Sequence, residues 1–288
     1  MSKQNLNIGT LNVRGLNAGD NRRNIFEDLI KYDLDILSIT ETHIKEEEYL
    51  EDFKNKYTLF STNKVNDSHH GVGFLIKTEL DPTFSKITER ICFADMKTRN
   101  QTIRVVSVYA PTLKSCEDNP EIRLEFYAAI QKVIKTTPKR YSLIIAGDFN
   151  AKVGSAWKSY PECLGRFGKG AINSSGKILV EMCHDNNLCI TNTLFKHRLS
   201  HVTTWEAPER NFTTHDGTPR RNIIRNQIDF IIVRQRQRQF VTNSRSYGGI
   251  STETDHKLVK MNINFKLSKL ETNKTKKRKY QLLKLRNT

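Results

Sequence analysis

At 288 residues the chain can bury a sizeable core as one large domain or two ordinary ones, and 37% hydrophobic with 27% charged content fits a soluble globular protein. No apolar run approaches the ~20 residues a spanning helix needs, and the start Met1-Ser2-Lys3-Gln4 lacks the apolar core of a secretory signal, so no membrane association is expected. The net charge of +16 excludes indifference to polyanions and is unevenly placed: residues 264–288 hold nine Lys/Arg against one acid, and residues 220–245 hold seven Arg against one Asp. For the last stretch a tail that merely keeps the chain in solution is the equal alternative.

Residues 5–13 alternate as a strand (Leu6, Ile8, then Leu11 and Val13), with Asn12 near its end and Arg14-Gly15-Leu16 as a turn. A helix is predicted over 21–32, with Ile25, Leu29 and Tyr32 on one face and Asp20 or Asn21 as N-cap. A buried strand over 34–39 ends in Thr40-Glu41-Thr42. Residues 57–62 and 71–77 read as a meander. The β-branched run 102–109 closes at Tyr109-Ala110-Pro111, and a helix follows over 121–135 with Ile122, Phe126, Ile130 and Val133 on its stripe.

The chain is organised around residues 141–150, where an apolar run stops at Gly147 and Asp148 and Asn150 follow. In extended backbone, residues i and i+2 point the same way, so this pair is expected to project together from a strand's carboxyl end, where α/β sheets place ligands. The alternative is an Asx turn. Beyond it come a helix over 174–187, short strands over 188–191 and 202–205, and a polar surface loop over 206–226. A strand over 228–233 contains Asp229, and a final strand over 258–265 follows Thr254-Asp255-His256. His69-His70 reads as solvated and His184 as a packing or capping residue. Five cysteines (Cys92, Cys116, Cys163, Cys183, Cys189) without a C-x-x-C pair point to reduced thiols in an intracellular protein, with no zinc site. The pattern favours an α/β or α+β domain with more than one sheet. Its recurrent feature is a polar residue where an apolar strand ends.

In this order, Leu11-Asn12-Val13-Arg14-Gly15-Leu16, Thr40-Glu41-Thr42, Tyr109-Ala110-Pro111, Gly147-Asp148-Phe149-Asn150 and Thr254-Asp255-His256 resemble the endonuclease/exonuclease/phosphatase superfamily, whose members include DNase-like nucleases and apurinic/apyrimidinic endonucleases. Asn226-Gln227-Ile228-Asp229-Phe230-Ile231, with Thr204-Trp205, narrows the resemblance to the endonuclease domain of non-LTR (LINE-type) retrotransposons. The resemblance implies a DNase-like four-layer sandwich, two packed mixed β-sheets flanked by helices, over residues 1–266, with 267–288 as a basic, unstructured tail or linker. It also implies divalent-metal-dependent hydrolysis of a DNA phosphodiester to 3′-hydroxyl and 5′-phosphate ends.

On the residues, Glu41 is the expected direct Mg²⁺ ligand (Mn²⁺ could replace Mg²⁺), since Mg²⁺ favours few carboxylates plus waters. Asn12 would position Glu41 or a metal-bound water, and Asp255 would be a second carboxylate near the metal. Asp148 and Asn150 would orient and deprotonate the attacking water, and Tyr109 would donate to a phosphate oxygen. Asp229 would fix the tautomer of His256 and raise its pKa. Either Asp148 or His256 could act as general base, with Asp148 preferred. Arg14, Trp205, Arg220, Arg221, Arg225 and Asn226 are the expected DNA contacts.

Three departures matter. Arg14 stands where repair-type members carry an acid, and Thr112 where many place an asparagine. Thr204 and Asn226 replace the aromatic cup for a flipped abasic sugar. Target-site nicking is therefore expected ahead of abasic-site repair, with a catalytically silent nucleic-acid-binding derivative third and a small-molecule phosphatase disfavoured by the basic skew. The chain lacks a Tyr/Phe-x-Asp-Asp signature, and its tail resembles the linker toward a reverse-transcriptase domain, the expected partner in a longer polyprotein. The expected location is intracellular, in the nucleus.

Overall fold

The computed structural model describes residues 4–45, 48–62, 70–98, 101–207, 210–213, 219–222 and 224–265. The expected tail (267–288) and His69 lie outside them. The chain begins with β1 (Gln4–Asn12), α1 (Asn21–Lys31), β2 (Ile36–Thr40), β3 (Glu48–Phe53), β4 (Tyr57–Thr62) and β5 (Val72–Lys77). There follow β6 (Thr83–Thr88), β7 (Ile91–Lys97), β8 (Thr102–Tyr109), α2 (Leu113–Asp118), α3 (Glu121–Thr136) and β9 (Ser142–Asp148). The last part holds α4 (Ser174–Asp185), β10 (Leu188–Ile190), β11 (Trp205–Glu206), β12 (Arg210–Thr213), β13 (Pro219–Asn222), β14 (Arg225–Asn226), β15 (Asp229–Arg234), β16 (Val241–Tyr247) and β17 (Leu258–Phe265).

Two mixed sheets result, a seven-stranded one ordered β16-β17-β1-β2-β5-β4-β3 and a six-stranded one ordered β10-β15-β9-β8-β7-β6. Neighbours within them run antiparallel except β1 with β2 and β8 with β9. The apolar runs are explained by burial on both faces. In β9, Ile144 and Ala146 enter the core between the sheets, while Leu143 and Ile145 meet the core under α3 and α4. β8 divides the same way, with Ile103 and Val105 inside and Val106 and Val108 toward the helices. On the other sheet α1 sends Ile25 and Leu29 against Leu37, Ile39 and Leu75. Helix, sheet, sheet and helix make the four expected layers.

Two features of that sandwich hold the site end in register. Ser38 of β2 donates to Ser107 Oγ of β8 at 2.7 Å and to the Ala146 carbonyl at 3.1 Å, a buried polar tie between sheets. Gly147 is required because β8 passes close by: a Cβ there would lie 1.9 Å from the Val108 carbonyl oxygen.

Several expectations are corrected. Residues 202–204 are not strand; pairing begins at Trp205, and only β11 is extended. The described residues of the supposed irregular loop 206–226 are mostly β-structure, β11 pairing with β14 and β12 with β13. The helix predicted to 187 ends at Asp185, and the strand predicted to 191 ends at Ile190, where a 3-10 turn takes over. Asp20 stands at the N-cap of α1 but its side chain makes no capping bond.

Candidate active site

The parallel pairs decide where polar residues gather. β1 and β2 end together, Asn12 opposite Thr40, and β8 and β9 end together, Tyr109 opposite Asp148. Asp229, the first residue of β15, sits opposite Asp148 on the antiparallel side. Five strands thus deliver their terminal side chains to one end of the sandwich, and the loop before β17 adds Asp255 and His256. The cavity there has a volume of about 620 Å³ and is lined by Glu41, Tyr109, Asp148, Asn150, Asp255 and His256 among others.

Asn12 is its keystone. The buried amide donates to Glu41 Oε1 at 2.8 Å and to Asp148 Oδ2 at 3.2 Å, and its own oxygen accepts from the Arg14 N–H at 3.2 Å. Tyr109 donates its hydroxyl to the same Glu41 oxygen at 2.7 Å. His43 Nε2 lies 3.6 Å from the other one. Burial opposes ionisation of Glu41, but hydrogen bonds from His43, Asn12 and Tyr109 outweigh it and hold the pKa down to about 2. Burial together with the Glu41 and Asp148 charges raises the Tyr109 hydroxyl well above its ordinary value, so it stays a donor.

On the opposite wall, His256 Nδ1 meets both Asp229 oxygens at 3.2 and 3.1 Å. Its Nε2 faces the cavity, 3.9 Å from Asp148 Oδ2 and 3.9 Å from Asp255 Oδ1. Burial would lower the imidazole pKa; the Asp229 charge and hydrogen bond, then Asp148 and Asp255, outweigh it and raise it to about 9. Asp229 is fixed by its backbone: Thr204 Oγ1 accepts from the Ile228 and Asp229 N–H groups at 3.0 and 3.1 Å. Asp148, between the walls, is raised by burial and by the neighbouring Asp229 carboxylate, against the pull of His256.

Asn150 departs from the extended geometry expected of it. Its φ is 45°, its N–H caps Asp148 Oδ1 at 2.9 Å, and its side chain donates to the Ala110 carbonyl at 2.8 Å. The Asx-turn alternative is what the chain adopts, so Asn150 orients Asp148 as well as lining the cavity. His70 is a second correction. It is not solvated: Arg90 Nη2 bonds its Nε2, and its ring meets Tyr109 edge-on at 6.3 Å.

At the rim, Asp255 Oδ2 takes Arg14 Nη1 at 3.0 Å and the Trp205 indole N–H at 3.0 Å. Asn226 lines the cavity, whereas Arg225 turns to Glu206 at 3.1 Å. The side chains of Arg220 and Arg221 lie outside what the structure describes. Sequence reasoning passed over His43, Lys152, Asn173 and Leu113, which also line the cavity. Only His43 carried a signal, two residues after Glu41. His184 is exposed at the end of α4, its ring 6.4 Å from Tyr160.

Does the donor set suit a divalent cation? Glu41 is ionised, and Asp255 Oδ1 is buried without a hydrogen-bond partner among the described residues. An orphaned carboxylate oxygen and a low-pKa carboxylate fit a hard cation. Asp148, Asp229 and His256 also bring ligand atoms within 4.8 Å of one another. Of these, His256 Nδ1 is already engaged by Asp229, while Asp148 stands 3.9 Å from Nε2, outside hydrogen-bond distance.

A two-sheet sandwich with its polar residues collected where parallel strand pairs end is the DNase-like α/β architecture. The chain belongs to the endonuclease/exonuclease/phosphatase family, whose model matches residues 9–256. It is 31% identical to craniofacial development protein 2 of Bos taurus over 268 residues, 92% of this chain and 42% of that protein. The chain spans less than half the length of the curated relatives it matches. Among solved structures, the endonuclease domain of TRAS1, a telomere-specific non-LTR retrotransposon, aligns at a TM-score of 0.60 and 17% identity, over 91% of this chain and 99% of that one. The 3′ phosphatase NExo from Neisseria, bound to a product DNA hairpin, aligns at 0.60 and 14% identity, over 90% and 100%.

Proposed function

We propose that this chain is a divalent-metal-dependent DNA endonuclease, hydrolysing a phosphodiester to 3′-hydroxyl and 5′-phosphate ends and nicking target DNA for a non-LTR retrotransposon. The observation that carries the reading is that Glu41, Asp148 and His256 line one cavity, Asp148 Oδ2 accepting from the Asn12 amide that also holds Glu41 and lying 3.9 Å from His256 Nε2. Glu41 and Asp255 would hold Mg²⁺ or Mn²⁺, which when bound supplies charge neutralisation for a phosphate oxygen. His256, kept cationic by Asp229, donates from Nε2 to a non-bridging oxygen of the scissile phosphate. Asp148, with its raised pKa, takes the proton of the attacking water. The bond formed is from that water oxygen to phosphorus; the bond broken is to the 3′ oxygen, which leaves with a proton from solvent. Tyr109 and Asn12 hold Glu41, and Asn150 holds Asp148.

The basic skew of the chain and a DNA hairpin bound to a structural relative support DNA as substrate. Thr204 is buried and polar and Asn226 lines the cavity, which favours an intact strand over a flipped abasic sugar. Among the described residues no helix is long and apolar enough to cross a membrane. Supercoiled plasmid and an abasic duplex, each with Mg²⁺, Mn²⁺ or EDTA, test the reading. Nicking of plasmid with either metal supports it, strong preference for the abasic duplex shifts it to repair, and inertness on both overturns it.

A further inference from the structure

The sheets divide the arginine-rich run 220–245 between two ends of the molecule. Arg225 stays beside the active site, whereas Arg234, Arg236 and Arg238 follow β15 to the opposite end, five strand positions or about 17 Å from Asp229. There a 3-10 turn, Gln235–Phe240, is bordered by three hollows of about 470, 540 and 400 Å³ that all share Arg236. Lys135, Lys139, Arg140, Arg234, Arg236 and Arg238 line them, and no acid lines any of the three. None of these six makes an ion pair among the described residues. The nearby acids are Asp95, held by Arg104 at 2.6 Å, and Asp185 at the end of α4. Folding does not use these charges: Arg236 donates to the Tyr141 carbonyl at 2.9 Å, and Arg234 to that of Thr137 at 3.2 Å, both neutral.

The rest of the lining is specific. Asn186, Asn187, Gln235 and Gln239 offer amides that both donate and accept, and the half-buried Phe195 and Phe240 offer ring surface. Cations with amides and aromatics in separate small hollows suit a single strand, whose phosphates track the guanidinium groups while its bases turn into the hollows. An acidic peptide would use the cations alone. We propose that the end of the sandwich opposite the active site is a second nucleic-acid surface, and that its ligand is a single strand. The proposal does not depend on cleavage.

The test uses the full chain in EDTA with a fluorescein-labelled oligothymidylate, and reads lysine acetylation alongside binding. Lys135 and Lys139 of the wild-type chain should be protected at least threefold by the oligonucleotide. The combined variant Lys135→Gln, Lys139→Gln, Arg140→Gln and Arg238→Gln should bind at least tenfold more weakly. Its salt dependence should fall by roughly two to three in logarithmic slope, about 0.7 per lost phosphate contact. Protection confined to Lys152, Lys169, Lys257 and the lysines beyond 266 overturns the proposal, as does equal protection by polyglutamate. The acetylation readout needs no variant, so a quadruple variant that fails to fold leaves it standing or fallen on the wild-type footprint.

Discussion

Replacing Asp229 by Asn keeps the shape of the site while removing one buried charge. In the wild type the His256 pKa is raised from 6.5 to about 9, with Asp229 the leading cause after burial, which acts the other way. That elevation corresponds to about 3 kcal/mol favouring the imidazolium in the folded state. The pair is buried, 6% and 1% exposed at the side chains, so solvent screens little of it. A group whose folded pKa is raised contributes stability that is complete below the unfolded value and is lost as pH rises through the folded one. Wild-type protein in EDTA should therefore lose about 3 kcal/mol between pH 6.5 and 9, read from urea unfolding at fixed ionic strength. In Asp229→Asn, burial persists and only Asp148 and Asp255 remain, each 3.9 Å from Nε2, so the pKa should fall by two or more and this loss should vanish. Side-chain NMR titration of His256 gives the pKa directly. An unchanged His256 pKa in the variant, or a wild-type stability flat from pH 6.5 to 9, refutes the assignment of Asp229 as the group that charges the ring.

Three further outcomes are expected. Glu41, held at about 2 against 4.5 for a free carboxyl, contributes stability present above 4.5 and lost as pH falls toward 2; about 3 kcal/mol should go in EDTA, and Glu41→Gln should show no such loss on acid unfolding. Thr204→Val keeps volume but leaves two backbone N–H groups without an acceptor, so calorimetry should find it destabilised by about 2 kcal/mol and its nicking rate lowered. Gly147→Ala forces β8 and β9 apart against a 1.9 Å approach, and should cost about 3 kcal/mol in urea unfolding; a neutral substitution contradicts the packing described.

Part of the site was legible because polar residues stand at the ends of apolar runs long enough to be buried strands, Glu41, Tyr109 and Asp148 at the close of theirs and Asp229 and His256 ahead of theirs. Glu41 after Ile36–Thr40 and Asp148 after Leu143–Ala146 are polar where an apolar run stops, which marked both strand ends as candidates. Two contacts were expected and are present, Asn12 on Glu41 and Asp229 on His256; the others were not legible. That Asn12 would bridge Glu41 to Asp148, or that Arg14 and Trp205 would share one oxygen of Asp255, depends on strand order, which periodicity does not carry. The missed elements fail for a related reason. β6 is an edge strand whose residues are all half-buried or exposed, and β16 reads Val-Thr-Asn-Ser-Arg-Ser-Tyr, so neither shows an alternating apolar face; their order comes from backbone pairing with β7 and β17. The β11–β14 ladder is two residues long on each side and held in part by the Trp205–His256 bridge, a contact 51 positions apart.

Nicking of supercoiled plasmid by wild type, Glu41→Gln and His256→Ala, with Mg²⁺ and with EDTA, decides whether Glu41 and His256 serve one reaction in their shared cavity. Wild type should convert the plasmid to open circle with Mg²⁺ alone, and each variant should be at least ~100-fold slower. Undiminished nicking by either variant, or wild-type nicking in EDTA, contradicts that shared role.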